Sequence, residues 1–244
     1  MTPILSVEDL SVSFDGFLAV DSLSFSIERN ELRAVIGPNG AGKTTLLDMI
    51  CGKTKASRGR ILFKDTDLTH LGEHQIVRLG VGRKFQTPST YEDLTVIENL
   101  EISYPRHRGV FGSLFFRRTA RIADHLRDVA TEVYLADELE TKAGALSHGQ
   151  KQWLEIGMLL TQEPELLLLD EPVAGMSPRE REQTAELLRK ISGGRSLVVI
   201  EHDMDFVKAI ARKVTVLHQG KLLSEGPMDQ VQRDERVIEV YLGH

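Results

Sequence analysis

Residues 37–45 read Gly-Pro-Asn-Gly-Ala-Gly-Lys-Thr-Thr and fit the phosphate-binding template G-x-x-x-x-G-K-[ST] at every fixed position. The chemistry explains the residue types. Phosphates need several backbone N–H donors converging on them, and Gly37, Gly40 and Gly42 let the chain curl closely enough to supply these. Lys43 offers a cation to the β- and γ-phosphates, and the Thr44 hydroxyl a ligand for Mg²⁺. Pro38, Asn39, Ala41 and Thr45 complete the loop. A second constellation, Asp170 and Glu171, follows the apolar run 166–169. There Asp170 suits an outer Mg²⁺ ligand, and Glu171 a base that orients or deprotonates an attacking water. His202 follows a third such run, 196–200, where it can donate a hydrogen bond to a γ-phosphate. These residues predict a site for a nucleoside triphosphate.

The elements that must position them follow from pattern. Residues 31–36 read as a short buried strand and 44–50 as the start of a helix whose N-terminus favours anions. Stretches 4–9 and 23–27 alternate apolar and polar side chains as half-buried strands do, and 60–64 reads as another strand. Phe14 falls in the turn between the first strands, where an aromatic can stack on a purine; a core or surface phenylalanine explains it equally well. From residue 73 the pattern becomes helical, with helical spacing at 95–102 and 119–136, so 87–146 reads as a helical subdomain inserted into an α/β core. Within it, Arg106, Arg108, Arg117, Arg118 and Arg121 surround the apolar stretch 110–116. That arrangement suits a membrane surface or a partner; the plainer reading is a solvated helical face with a local apolar cluster. Residues 149–161 and 178–191 read as helices and 214–218 with 221–224 as a hairpin; short helices fill 227–244.

Composition narrows the class. A chain of 244 residues forms one large domain or two tightly joined subdomains. A net charge of −6 argues against a general nucleic-acid binder. One cysteine, Cys51, excludes an internal disulfide and a cysteine-based zinc cluster, and suits a reducing compartment. The N-terminal residues lack the pattern of a signal peptide, and no stretch approaches the ~20 apolar residues of a membrane span. The expectation is a protein that serves a membrane, if at all, from its cytoplasmic face.

The stretch Leu146-Ser147-His148-Gly149-Gln150 resembles the LSGGQ signature of ATP-binding-cassette (ABC) ATPases. The other family marks fall in order around it over the whole chain. By that resemblance Phe14 matches the adenine-stacking aromatic, residues 37–45 the Walker A loop, and Gln86 the Q-loop glutamine, which also reaches the metal. Residues 166–170 match Walker B, Glu171 the catalytic glutamate and His202 the switch histidine. The resemblance implies an ABC nucleotide-binding fold, α/β with an antiparallel β subdomain, in one domain over 1–244. Residues 1–86 and 147–244 would form the core with its β subdomain, and 87–146 the helical subdomain. It implies ATP and Mg²⁺ as ligands, and a head-to-tail pair in which Ser147, Gly149 and Gln150 bind the nucleotide of the opposite subunit.

His148 departs from the pattern, which has glycine there; it adds bulk and a titratable ring. Residues 174–177, Ala-Gly-Met-Ser, look like importers for branched-chain amino acids and related small amides. Residues 82–89, 146–160, 171–176 and 237–243 narrow this to the ATP-binding subunit of urea importers, with the branched-chain importers as the alternative. The implied partners are two membrane-spanning permease subunits, gripped through residues 87–100, a second and different ATPase subunit, and an external solute-binding protein. The implied place is peripheral, on the cytoplasmic face of the inner membrane. A non-transport ABC ATPase acting on DNA or ribosomes fits less well, because residues 43 and 147 lie only 104 positions apart (147 − 43), too few for a long coiled coil. No N-K-x-D motif for guanine recognition occurs.

Overall fold

A computed structural model describes residues 3–84, 90–105 and 119–242. Gln86, four of the five arginines around the 110–116 stretch and that stretch itself lie outside them. Contacts divide the chain into two units, one of Met1–Arg83, Glu165–Pro172 and Leu188–His244, the other of Lys84–Pro164 and Val173–Leu187.

The first unit carries two sheets. β1 (Leu5–Phe14), β2 (Phe17–Ile27), β4 (Arg58–Phe63) and β5 (Thr66–Asp67) form a four-stranded sheet in the order β2-β1-β4-β5, all pairings antiparallel. The first two strands are longer than the alternation suggested, because register shifts beyond Val7 break its period. The second sheet has the order β10-β9-β3-β8-β7-β6, with β3 (Leu32–Ile36), β6 (Val81–Lys84), β7 (Leu166–Asp170), β8 (Ser196–Ile200), β9 (Lys213–His218) and β10 (Lys221–Gly226). β3 runs parallel to β8 and β9, and β7 parallel to β8. Every residue of β3, β7 and β8 is buried, which is why 166–169 and 197–200 read as apolar runs, while β3 carries the buried Arg33. β6 was missed within a region read as helical; at four residues, two of them cationic, it has no legible period.

Helix α1 (Lys43–Ile50) anchors the phosphate loop to this core. Leu46, Leu47, Met49 and Ile50 are buried, each contributing about 1.5–3 kcal/mol by burial. Across β3 and β9 the fully buried Arg33 guanidinium reaches Glu31 Oε1 at 2.6 Å, Thr215 Oγ1 and Glu225 Oε2 at 2.7 Å, and the Ser26 carbonyl at 2.9 Å. A buried charge so fully partnered stabilises only while intact. α2 (Glu73–Leu79) closes on Gly80 before β6.

The second unit is helical. α3 (Val96–Ser103) starts at Thr95, whose hydroxyl caps Glu98 N at 3.3 Å. α4 (Ala120–Glu132) starts at Thr119 and ends short of the expected residue 136. Tyr134, with φ +60°, turns the chain there. α5 (His148–Leu160) packs against α3 and α4 through Gly157, where a Cβ would stand 3.1 Å from Leu100 and 3.2 Å from Val133. Those contacts put α5 and the start of α6 (Pro178–Ser192) in the helical unit, so the contact boundaries differ from the 87–146 insert drawn from sequence. Trp153 on α5 donates to Thr184 Oγ1 at 2.8 Å and meets Tyr134 edge-on. Lys84 Nζ and Glu155 Oε2 form a buried pair at 3.2 Å. Two short helices, α7 (Met204–Ile210) and α8 (Met228–Val231), and α9 (Glu235–Leu242) pack on the first unit. Among the described residues no helix is long and apolar enough to cross a membrane.

Candidate functional site

The loop 37–45 curls between β3 and α1, and its glycines are there for two different reasons. Gly42 has φ +98°, and a Cβ would lie 2.4 Å from the Ala19 carbonyl oxygen. At Gly37 a Cβ would lie 2.2 Å from the Leu217 carbonyl oxygen. Gly40 has φ +78° and open space beside it, so conformation alone calls for glycine and the space is left for a ligand. Gly42 caps α1 without a side chain, so no N-cap side chain takes the first-turn N–H groups of Lys43, Thr44 and Thr45. Lys43 Nζ folds back on the Gly37 and Pro38 carbonyls at 2.7 and 3.0 Å, bracing the loop. Burial pushes its ammonium below the usual lysine range, opposed by the Glu171 and Asp170 carboxylates.

Those two carboxylates arrive from the end of β7. Asp170 is 1% exposed, and among the described residues neither carboxylate oxygen has a hydrogen-bond partner of good geometry. Burial pushes its pKa up; Arg83, chiefly, and the Thr44 hydroxyl act against that. An orphaned buried carboxylate beside a hydroxyl is an oxygen donor set suited to Mg²⁺, so Thr44 and Asp170 fit the ion. Glu171 sits at φ +47°, an uncommon conformation for a residue with a side chain, held by its N–H donating to Ile200 O at 3.0 Å. His202, just past β8, brings Nδ1 to 3.7 Å from Glu171 Oε1. Its backbone is held on both sides, because the main-chain N–H donates to the buried Glu201 at 3.1 Å and Asp203 caps α7, while its ring is exposed.

The structure thus brings Lys43, Thr44, Asp170, Glu171 and His202 together in one unit. Phe14 is the last residue of β1, where it pairs with Phe17 across the turn Asp15-Gly16; it was expected inside that turn. It is 48% exposed, which removes the core alternative. Ser147, Gly149 and Gln150 belong to the helical unit, at the start of α5. Ser147 Oγ accepts from Gln150 N at 3.2 Å while Ser147 N donates to Gln150 Oε1 at 2.9 Å. Gln86 falls outside the described residues.

Three residues escaped the sequence reading. Arg83, 9% exposed, donates to Asp48 and to Cys51 Sγ on α1, and its charge favours ionised Asp170. Nothing in a four-residue strand announces that. Glu201 was seen only as a strand end. Glu180 takes a hydrogen bond from Ser147 Oγ at 3.3 Å and others from Ser177 N and Oγ at 2.9 and 2.7 Å. Its signal was present, since Ser177 and Glu180 have the S-x-x-E spacing of a capping box.

Comparison with known proteins agrees with this geometry. The family model described as ABC transporter matches residues 20–174, and one described as Branched-chain amino acid ATP-binding cassette transporter matches 221–244. The high-affinity branched-chain amino acid transport ATP-binding protein BraF of Pseudomonas aeruginosa is 35% identical over 250 residues, covering 99% of this chain and 98% of its own. LivG of Escherichia coli K12, described in the same words, has the same identity and coverage. Among solved structures, an ATP-binding cassette from an ABC transporter in its ADP conformation is 31% identical, with a TM-score of 0.88 over all of both chains. A nucleotide-free cassette reaches 0.88 at 30% identity, over 99% of this chain and 100% of its own. The chain belongs to the ABC transporter family, as an ATP-binding and ATP-hydrolysing subunit.

Proposed function

We propose that this chain energises an importer for branched-chain amino acids or a closely similar small solute, from the cytoplasmic face of a membrane. The observation that carries the chemistry is the grouping of the buried Asp170 beside the Thr44 hydroxyl, the strained Glu171 and His202 at strand ends around a helix start capped only by glycine. Residues 37–45 cradle the ATP phosphates, and Phe14 stacks on the adenine, a role its exposure supports. Thr44, Asp170 and Gln86 hold Mg²⁺, which when bound neutralises phosphate charge. Glu171 takes the proton of the attacking water, and His202 donates to the γ-phosphate. Ser147, Gly149 and Gln150 complete the site of a second ATPase subunit, different from this one. Two permease subunits and an external solute-binding protein make up the rest of the importer.

The cargo rests on the relatives: those named above carry branched-chain amino acid transport in their names, and the C-terminal match agrees. Urea, expected from the sequence, has no support there and becomes the second reading. What favours it is the resemblance of residues 146–160 and 237–243 to urea-importer ATPases. Uptake of radiolabelled leucine and of urea, measured in parallel in host cells carrying wild type, no copy or Glu171→Gln, tests both. Leucine uptake should collapse in both altered strains while urea uptake stays normal. The reverse pattern moves the cargo to urea and leaves the ATPase intact; unchanged uptake of both overturns the importer for either solute. In the assembled transporter, Glu171→Gln should lower phosphate release at least about hundredfold, and wild-type release would remove Glu171 as the base.

A further inference from the structure

His148 stands where the signature pattern has glycine, and the structure gives its ring a fixed place. Nε2 lies 2.9 Å from the Ala174 carbonyl oxygen. A carbonyl only accepts, so in the shorter contact Nε2 carries the hydrogen, and the Gln152 amide nitrogen, 3.4 Å from the same atom, then makes no hydrogen bond to it. The ring also lies against Gly175, where a Cβ would stand 3.1 Å from Nε2 and 3.2 Å from Cδ2, and where φ is +72°. Residue 175 is glycine on two counts, and one of them is the histidine. Next to it, the Ser147 hydroxyl donates to Glu180, which the Ser177 N–H and hydroxyl hold in turn. Two consecutive signature residues are therefore tied to segment 174–180, within one unit and starting three positions after Glu171 (174 − 171).

We propose that His148 is a positioning residue that latches the signature to the chain leaving Glu171. The signature, which completes the partner's phosphate site, then moves as one with segment 174–180, the chain that leaves Glu171. The inference rests on the reading of Ser147 given above. Glycine at 148 would leave the Ala174 carbonyl to water and the signature tied to that segment through Ser147 and Glu180 alone.

Phosphate release against ATP concentration, in the assembled transporter, tests this with His148→Gly, His148→Gln and Ser147→Ala. The emission of Trp153, the chain's one tryptophan, on the same helix as His148, reports whether each variant folds. His148→Gly should lower kcat about fivefold, the worth of one net hydrogen bond, with KM within about twofold and a reduced Hill coefficient. His148→Gln, whose amide N–H reaches the same carbonyl, should recover at least about half of the wild-type kcat. Ser147→Ala should lose more than either. Wild-type turnover in Ser147→Ala overturns the signature reading and the latch with it. If Ser147→Ala is impaired but His148→Gly behaves as wild type, the latch alone falls. Equal damage from Gly and Gln removes the hydrogen bond as its basis, and a wild-type Hill coefficient of one removes the coupling. Should His148→Gly misfold, Gly175→Ala, which crowds the ring from the other side, should give the same fall in kcat; an unchanged kcat there overturns the latch.

Discussion

The helix starts at Lys43 and at His148 both follow a glycine-bearing loop, yet their first N–H groups meet opposite fates. α1 begins behind Gly42, which has no side chain to cap it. α5 begins behind Ser147, which closes a capping box with Gln150 and ties its hydroxyl to Glu180. The two regions' carboxylates divide in the same way. Asp170 is buried without a hydrogen-bond partner of good geometry among the described residues and its pKa is raised; Glu180 is held by the Ser177 N–H, chiefly, and by two hydroxyls, and its pKa is lowered. A helix start behind glycine forgoes only a few tenths of a kcal/mol relative to a serine cap and offers its donors to an anion. The capping box at α5 holds one first-turn N–H, that of Gln150, and the Ser147 hydroxyl meets an anion only by giving up bonds it already has. The phosphate loop is built to bind, the signature segment to be positioned.

The sharpest way to break that contrast is Lys43→Ala. It should cut ATP turnover at least about hundredfold by removing the only lysine of the cradle, as followed by phosphate release. Gly42→Ala comes next: the left-handed φ and a backbone oxygen 2.4 Å from the new Cβ should cost about 2 kcal/mol or more of stability in denaturant unfolding. Its counterpart Gly149→Ala meets only the end of the Glu180 side chain, 2.2 Å away, which can swing aside. Stability should change by no more than about 1 kcal/mol, because alanine favours the helix while the Glu180 bonds loosen. Equal losses at the two glycines would erase the distinction.

The carboxylates give a smaller test, with opposite signs. A carboxyl whose pKa is raised by folding stabilises in its protonated form, below the ordinary carboxylate range, and that stability is lost as pH rises through the raised value. Asp170→Asn, which mimics the protonated form, should therefore raise the melting temperature at neutral pH, by about 2–4 °C, in metal-free chain. The gain should vanish in acid. Glu180 is the reverse case, with stability present at neutral pH and lost as pH falls through its lowered value. Glu180→Gln should lower the melting temperature at neutral pH, and the two curves should converge in acid.

How far the sequence could be read depended on how local each feature is. The parallel core strands were legible because burial on both faces leaves only apolar residues, and Asp170, Glu171 and His202 were legible as what stops those runs. The phosphate loop was legible because its fixed residues fall within nine positions, although Gly37 and Gly42 also make room for the distant Leu217 and Ala19 carbonyls. Arg83 and the true limits of β6 were not, because their partners are supplied by distant segments. The assignment of α5 to the helical unit likewise follows from packing through Gly157 on Leu100 and Val133, which no period in α5 announces.

By itself, then, the sequence determined that this chain binds and hydrolyses a nucleotide, because the residues concerned are set by short-range chemistry. The tertiary structure alone decided that Asp170 is buried and its pKa raised while Glu180 is held by Ser147 and Ser177, that Glu171 takes a strained backbone, and that His148 lies on Ala174 and Gly175. Partnership between groups far apart in sequence depends on where packing brings them, and on what else is there to bond to.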